Sequence, residues 1–330
     1  MSRPRSRGLT VRKRPLIVLS TVAAATLLLA GCAGGGAPES SATPDPTPSS
    51  SCALDAQPGA TSDSVVLEGE GADTTVTIPA DAAFADVERT VVSPGDGEEI
   101  GVNDLVSVQY QILEGSTGEV LDSSARGEGG LLPVLLDTNQ SSLFVAALEC
   151  EPVGSRIVLT LPGEVFGEGG TSKVVYAEAV EHLPEVATGT PVEPTPGMPT
   201  VELDDKGKPT VTIPDGDEPT ETKVAVLKQG DGATVGEGDL VVVQYLGVKW
   251  SDGSEFDSSW SRDAAPTQFQ TTGVVTGFKK ALEGQKVGSQ VVVMMPPSDG
   301  YGATEGHELQ KESLVFVVDI LATTPVQQQQ

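Results

Sequence analysis

Along the chain, apolar residues come in short blocks rather than in long helical stripes. Leu240-Val241-Val242-Val243-Gln244-Tyr245 is rich in β-branched residues, as are Gln290 to Met295 and Ser313 to Leu321. Each predicts a strand, because branched side chains suit a pleated, half-buried surface. Asp252-Gly253 predicts a turn between strands. One helical period stands out from Gly277 to Gly284, where Phe278, Ala281 and Leu282 fall at i, i+3 and i+4 and Gly284 supplies a stop. Together these elements predict an antiparallel sheet crossed by one short helix, an α+β arrangement.

The pattern occurs twice. Thr75-Val76-Thr77-Ile78-Pro79 returns as Thr210-Val211-Thr212-Ile213-Pro214, and Val106-Ser107-Val108-Gln109-Tyr110 as Val241-Val242-Val243-Gln244-Tyr245. Asp122-Ser123-Ser124 returns as Asp257-Ser258-Ser259, and Val153-Gly154-Ser155 as Val287-Gly288-Ser289. An offset of about 135 residues holds throughout, which implies a duplicated domain. The copies are expected at 53–184 and 200–325, joined by a semi-extended Pro-rich linker at 185–199 and followed by a polar tail at 326–330.

Composition supports many turns and little helix: of 330 residues, 38 are Gly and 24 are Pro, and 4% are aromatic. The net charge of −27 excludes a nucleic-acid partner, since phosphate backbones demand Lys and Arg. Only His182 and His307 are available as imidazoles, so neither a histidine metal cluster nor a Ser-His-Asp arrangement is expected. Acidic runs such as Glu202-Leu203-Asp204-Asp205 lack calcium-loop spacing. No cofactor and no metal are implied.

The first 31 residues read as an address. A basic stretch from Arg3 to Arg14 precedes an apolar run from Leu16 to Ala30, too short to span a bilayer comfortably, which closes on Leu29-Ala30-Gly31-Cys32. This resembles the lipobox of bacterial lipoproteins, which implies lipidation at Cys32, an extracytoplasmic location and anchoring to the bacterial cell membrane. The bland alternative is an ordinary signal peptide with a coincidental cysteine. Residues 32–52 are rich in Gly, Ser, Pro and Thr and predict a flexible tether. In an oxidising compartment Cys52 and Cys150 are expected to form a disulfide, worth roughly 4 to 5 kcal/mol by chain entropy, rather than two buried thiols.

The second copy resembles the FKBP-type peptidyl-prolyl isomerases, a family that binds macrolides. The resemblance rests on Val243-Gln244-Tyr245-Leu246-Gly247, Asp252-Gly253-Ser254-Glu255-Phe256-Asp257-Ser258-Ser259, Val274-Val275-Thr276-Gly277-Phe278, Val287-Gly288-Ser289, Tyr301-Gly302 and Leu314-Val315-Phe316, in that order. It implies a twisted antiparallel sheet wrapped on a short helix, with a shallow apolar pocket lined by Tyr245, Phe256, Asp257, Val274, Val275, Phe278, Tyr301 and Phe316. It also implies that Arg262 pairs near Asp257, that Tyr301 offers its hydroxyl to a substrate carbonyl, and that Phe269, His307 and Leu309 border the pocket. Two positions depart from the family: Phe278 stands where a Trp is usual, and Thr267 where many members have Phe.

What the resemblance implies chemically is rotation of X-Pro amides in proline-containing polypeptide clients, assisting the folding of exported proteins, by a chain expected to be monomeric. The alternative is a non-catalytic chaperone or envelope scaffold. In the first copy Tyr110 and Asp122 persist, but Leu121 replaces the aromatic, Leu143-Phe144 the Gly-aromatic pair, and Phe166 is matched to Tyr301. That copy is therefore expected to keep the fold without the pocket.

Overall fold

The structure, a computed structural model, describes Cys52, residues 56–262 and residues 264–326. The expected signal peptide, Cys32, most of the tether and the terminal glutamines lie outside the described residues.

The chain opens with α1 (Ala60–Ser64) and a hairpin of β1 (Val66–Glu68) and β2 (Thr75–Thr77). A first sheet follows from β3 (Glu88–Ser93), β4 (Leu105–Glu114), β5 (Val120–Ser123), β6 (Leu132–Leu135), β7 (Arg156–Leu161) and β8 (Lys173–His182), with α2 (Ser142–Leu148) before β7. The same succession then repeats. Short β9 (Thr190–Pro191) leads to a hairpin of β10 (Thr200–Leu203) and β11 (Pro209–Thr212). A second sheet follows from β12 (Lys223–Gln229), β13 (Leu240–Lys249), β14 (Glu255–Ser258), β15 (Thr267–Gln270), β16 (Gln290–Met295) and β17 (Leu314–Thr324), with α3 (Thr276–Leu282) before β16. The first sheet is ordered β3-β7-β8-β4-β5 with β6 beside β4, and the second β14-β13-β17-β16-β12-β9 with β15 beside β13, every pairing being antiparallel.

The central strands read as unbroken apolar blocks because both of their faces are covered. On β13, Val241, Val243 and Tyr245 join a core with Phe278, Ala281 and Leu282 of α3. Leu246 and Val248, on the opposite face, join a second core closed by Val201, Val211 and Ile213 of the hairpin segment. The first half does the same with Leu67, Val76 and Ile78 over Leu113, Val158 and Val174. The repeated Thr-Val-Thr-Ile-Pro blocks are thus the lids of these outer cores. A sheet wrapped on one helix does not predict them, since strands this short carry too little alternation to announce which face they bury.

Helix α3 has 7 residues, too few to be stable alone, and is held by what it buries. A Cβ on Gly277 would lie 2.4 Å from the Met295 sulfur, so only glycine lets the helix close on β16 at this point. The helix runs Thr276–Leu282, and Gly284 follows it in the left-handed region at φ 82°. Strand β17 continues beyond the expected Leu321 to Thr324, because Ala322, Thr323 and Thr324 pair with Val242, Val241 and Leu240.

Within residues 185–199, expected as a semi-extended linker, part of the chain is docked on the second sheet and a turn closes with the Met198 N–H donating to the Thr195 carbonyl. Thr190 and Pro191 pair with Gln229 and Lys228 on the edge of β12, and the Gly189 N–H donates to the Gly288 carbonyl at 2.9 Å. The Ala187 N–H donates to Asp319 at 2.8 Å, and Gln290 donates to the other carboxylate oxygen at 2.7 Å. Asp319 is fully buried, and burial pushes its carboxyl up while these donors pull it back. The two halves touch through Leu105, Leu135 and Leu183 against Val242, Leu321 and Ala322.

Cys52 and Cys150 are joined by a disulfide that closes a sequence separation of 98 residues, with Cα atoms 6.1 Å apart. Cys150 sits at φ 63°, where the second half has Gly284 at φ 82°. Cys150→Ser and Cys150→Gly both remove the bond. Glycine accepts the left-handed backbone, so Cys150→Gly should be the more stable by about 0.5 to 1 kcal/mol, the side chain's penalty less glycine's extra chain entropy. Urea midpoints of the two variants check this, and equal midpoints would remove strain at Cys150 from the account.

Candidate active site

The second sheet and α3 enclose a cluster of aromatic rings. Phe278 projects from α3 and is 4% exposed. Its ring meets Phe316 of β17 at 5.1 Å between centroids, Tyr245 of β13 at 5.9 Å and Phe269 of β15 at 5.9 Å, each edge to face. Phe256 of β14 completes the set, edge-on to Phe316 at 5.4 Å. Edge-to-face packing places each ring's positive edge on its neighbour's negative face, which favours this arrangement over stacking. Tyr245, Phe278, Phe316 and Leu309 are buried as a floor, whereas Phe256, Phe269, Val274, Val275 and Tyr301 are half-buried around it.

Gly247 makes that packing possible. A Cβ there would lie 2.7 Å from Phe256 Cζ and 2.8 Å from Phe316 Cε1. The motif contains this glycine, but only the paired strands reveal the two rings lying over it.

One edge of the cluster is polar. Tyr245 donates its hydroxyl hydrogen to Asp257 Oδ2 at 2.6 Å. Arg262 donates to Asp257 Oδ1 and, at 2.7 Å, to the Tyr245 oxygen, while its guanidinium lies 5.4 Å from the Tyr245 ring centroid. Burial, helped by the hydrogen bond to Asp257, pushes the Tyr245 phenol up to about 12, so it remains a donor. Tyr301 stacks on His307, the rings 4.1 Å apart and 4° from parallel. His307 Nδ1 accepts the Leu309 N–H at 3.1 Å, which fixes the imidazole. Burial, and then the charge of Asp257, raises the Tyr301 phenol, yet its hydroxyl makes no hydrogen bond among the described residues.

The same register in the first half gives a different surface. Tyr110, Asp122 and Arg126 reproduce the polar set, with Tyr110 donating to Asp122 at 2.9 Å and Arg126 to the Tyr110 oxygen at 2.9 Å. Arg126 went unread in the sequence because the spacing from Asp122 is one residue shorter than that from Asp257 to Arg262. Phe144 still meets Tyr110 edge-on at 4.8 Å. The remaining rings are gone: strand pairing sets Ile112 and Val175 where Gly247 and Phe316 stand, and Val134 where Phe269 stands. Phe166 is not in the place of Tyr301. Counted from the aligned strand ends Leu161 and Met295 it falls one residue short, and its ring is 41% exposed with the Lys173 ammonium 5.9 Å from its centroid.

All four tyrosines are raised by burial. A raised folded value means that the protonated phenol favours the fold fully below the ordinary tyrosine range near ~10, and that this contribution is lost as pH climbs through the folded value. For Tyr110 and Tyr245 the loss extends to about 12. Ultraviolet titration of the folded chain should therefore show tyrosinate appearing later than in denaturant, and coincident curves would contradict the burial of these phenols.

Residues 232–321 match the family described as FKBP-type peptidyl-prolyl cis-trans isomerase. The chain is 38% identical over 94 residues to the "Probable FK506-binding protein" of Corynebacterium glutamicum, covering 28% of this chain and 79% of that protein. It is also 38% identical over 99 residues to the "FK506-binding protein" of Streptomyces anulatus, covering 28% of this chain and 79% of that one. With the "FKBP-type 22 kDa peptidyl-prolyl cis-trans isomerase" of Escherichia coli it shares 39% identity over 98 residues, 29% of this chain and 47% of that protein. The matched span contains every ring of the cluster and both halves of its polar rim, and the chain belongs to the FKBP-type peptidyl-prolyl cis-trans isomerase family.

Proposed function

We propose that the isomerase activity of this chain resides in residues 200–325, with Tyr245, Phe256, Asp257, Val274, Val275, Phe278, Tyr301 and Phe316 as its working surface. The observation that carries this assignment is the free Tyr301 hydroxyl beside a floor of edge-packed rings, facing the bonded Asp257, Tyr245 and Arg262.

Rotation about an X-Pro amide faces a barrier of about 18 to 20 kcal/mol because the C–N bond has partial double-bond character. No bond is made or broken, so no nucleophile, metal or proton acceptor is required. The twisted amide is less dipolar than the planar one, so a surface that strips water from the carbonyl favours the twisted state over the planar one. Phe256, Val274, Val275, Phe278 and Phe316 supply that dry surface and hold the proline ring. Tyr301 donates to a substrate carbonyl, and Asp257, fixed by Tyr245 and Arg262, gives the rim a defined polar edge. Arg262, Phe269, His307 and Leu309 support this surface. A macrolide of suitable apolar shape competes for the same floor.

The first half keeps the polar set and one edge-packed ring, Phe144, without the other rings or the free hydroxyl, and we assign residues 53–184 no isomerase activity. The chain acts outside the cytoplasm, anchored through a lipid on Cys32 and reaching its proline-containing clients on the 32–52 tether as a monomer.

The test is cis/trans exchange of an Ala-Xaa-Pro-Phe peptide by the chain from residue 52 onward. Tyr301→Phe removes one neutral hydrogen bond of about 0.5 to 1.5 kcal/mol and should lower kcat/KM by about 2- to 10-fold. Tyr301→Phe with Asp257→Ala should lower it further than Tyr301→Phe alone, leaving only what the apolar floor supplies, because the first half contributes none. Residual full activity in the double variant would move the site to the first half, and no acceleration by the unmodified chain would favour a purely binding role.

A further inference from the structure

Tyr301 follows a tight turn, and the turn is fastened. Asp299, two residues before it, accepts from the Lys280 ammonium at 2.7 Å and from the Thr222 hydroxyl. Lys280 lies on α3, two residues after the floor ring of Phe278, and Thr222 immediately precedes β12. The carboxylate thus ties the floor helix, the edge of the sheet and the turn together at one point. Within the turn, the N–H groups of Gly300 and Gly302 both donate to the Pro297 carbonyl, at 3.1 and 2.7 Å. A Cβ on Gly302 would lie 2.5 Å from that carbonyl oxygen, so the chain has little room to move there. The neighbouring ammonium, then the Thr222 hydroxyl, hold the Asp299 carboxyl below the usual carboxylate range, which keeps the contact charged.

The first half provides an internal control. Aligned by their strand pairings, Lys280 corresponds to Ala146, Asp299 to Val165 and Thr222 to Val87. All three polar partners are absent together. There the ring nearest in sequence, Phe166, is exposed beside Lys173 and does not join the core, whereas Tyr301 packs against the ring cluster.

We propose that Lys280, through Asp299 and Thr222, is a positioning residue that sets the Tyr301 hydroxyl over the floor of the site. The proposal rests on the assignment of Tyr301 as the donor to the substrate carbonyl. The Lys280 side chain is 51% exposed and that of Asp299 22%, so the bridge is screened by solvent on one side and contributes little to global stability. Its effect is therefore expected in turnover rather than in melting.

The experiment measures kcat/KM and thermal unfolding for the chain from residue 52 onward. Lys280→Met and Asp299→Asn should each lower kcat/KM by about 2- to 5-fold without a matching fall in melting temperature. Lys280→Arg, which preserves the charge and a donor, should restore most of the rate. In a Tyr301→Phe background, Lys280→Met should have no further effect, because there is no hydroxyl left to place. A loss of equal size in that background would overturn the proposal, as would unchanged turnover in both single variants. If Tyr301→Phe alone has no effect while the unmodified chain is active, the assignment of Tyr301 fails first, and that outcome is distinct from a neutral Lys280→Met beside an impaired Tyr301→Phe.

Discussion

Burial of the β13–β17 ribbon on both faces is the constraint from which the rest of the second half follows. Every side chain on those strands must be apolar or bonded. Tyr245 meets this requirement with Asp257 and Arg262, and Asp319 meets it with Gln290 and the Ala187 N–H. One face demands a helix and obtains α3, whose Phe278 becomes the floor of the site; the other demands a lid and obtains the β10–β11 hairpin. The ring cluster is the part of the first core that the fold leaves incompletely covered, so the residues that line it also stabilise the domain.

Comparison of the halves separates scaffold from function inside one molecule. Both keep the tyrosine, aspartate and arginine set in nearly the same geometry, so that set belongs to the architecture of the loop after β5 or β14 as much as to any reaction. What differs is what lies over the central strand. Where Gly247 leaves space for two rings, Ile112 fills it with its own side chain, and Val175 stands opposite in place of Phe316. The glycine and the two rings it accommodates are thus replaced together in the first half, Ile112, Leu121 and Val175 standing for Gly247, Phe256 and Phe316.

The sheet, the short helix, the repeated succession of strands and the rings that cluster on the second sheet were legible because each is written in consecutive residues: β-branched runs, one 3.6-residue period, and motif blocks in fixed order. Less was legible wherever the decisive partner is distant. The Pro-rich composition of residues 185–199 suits a linker, but its docking depends on Asp319, 132 residues from Ala187. The polar bridge between Lys280 and Asp299 joins two ordinary surface charges that no periodicity links. Phe166 lies one residue nearer its strand end than Tyr301 does, a difference in turn length that the sequence match does not show. The outer cores escaped notice because their strands have 3 or 4 residues, fewer than a convincing alternation needs.

The Cys52–Cys150 bond also determines how force enters the molecule. A pull on the chain before Cys52 does not travel first through α1 and the β1–β2 hairpin, the elements that follow it in sequence. It passes across the sulfurs to Cys150, directly behind α2, where Arg89 already braces the helix end by donating to the carbonyls of Ala147 and Glu149 and pairing with Glu151. The chain between the two cysteines is bypassed by that path, so the connection between Cys52 and the end of α2 does not depend on the outer lid of the first half.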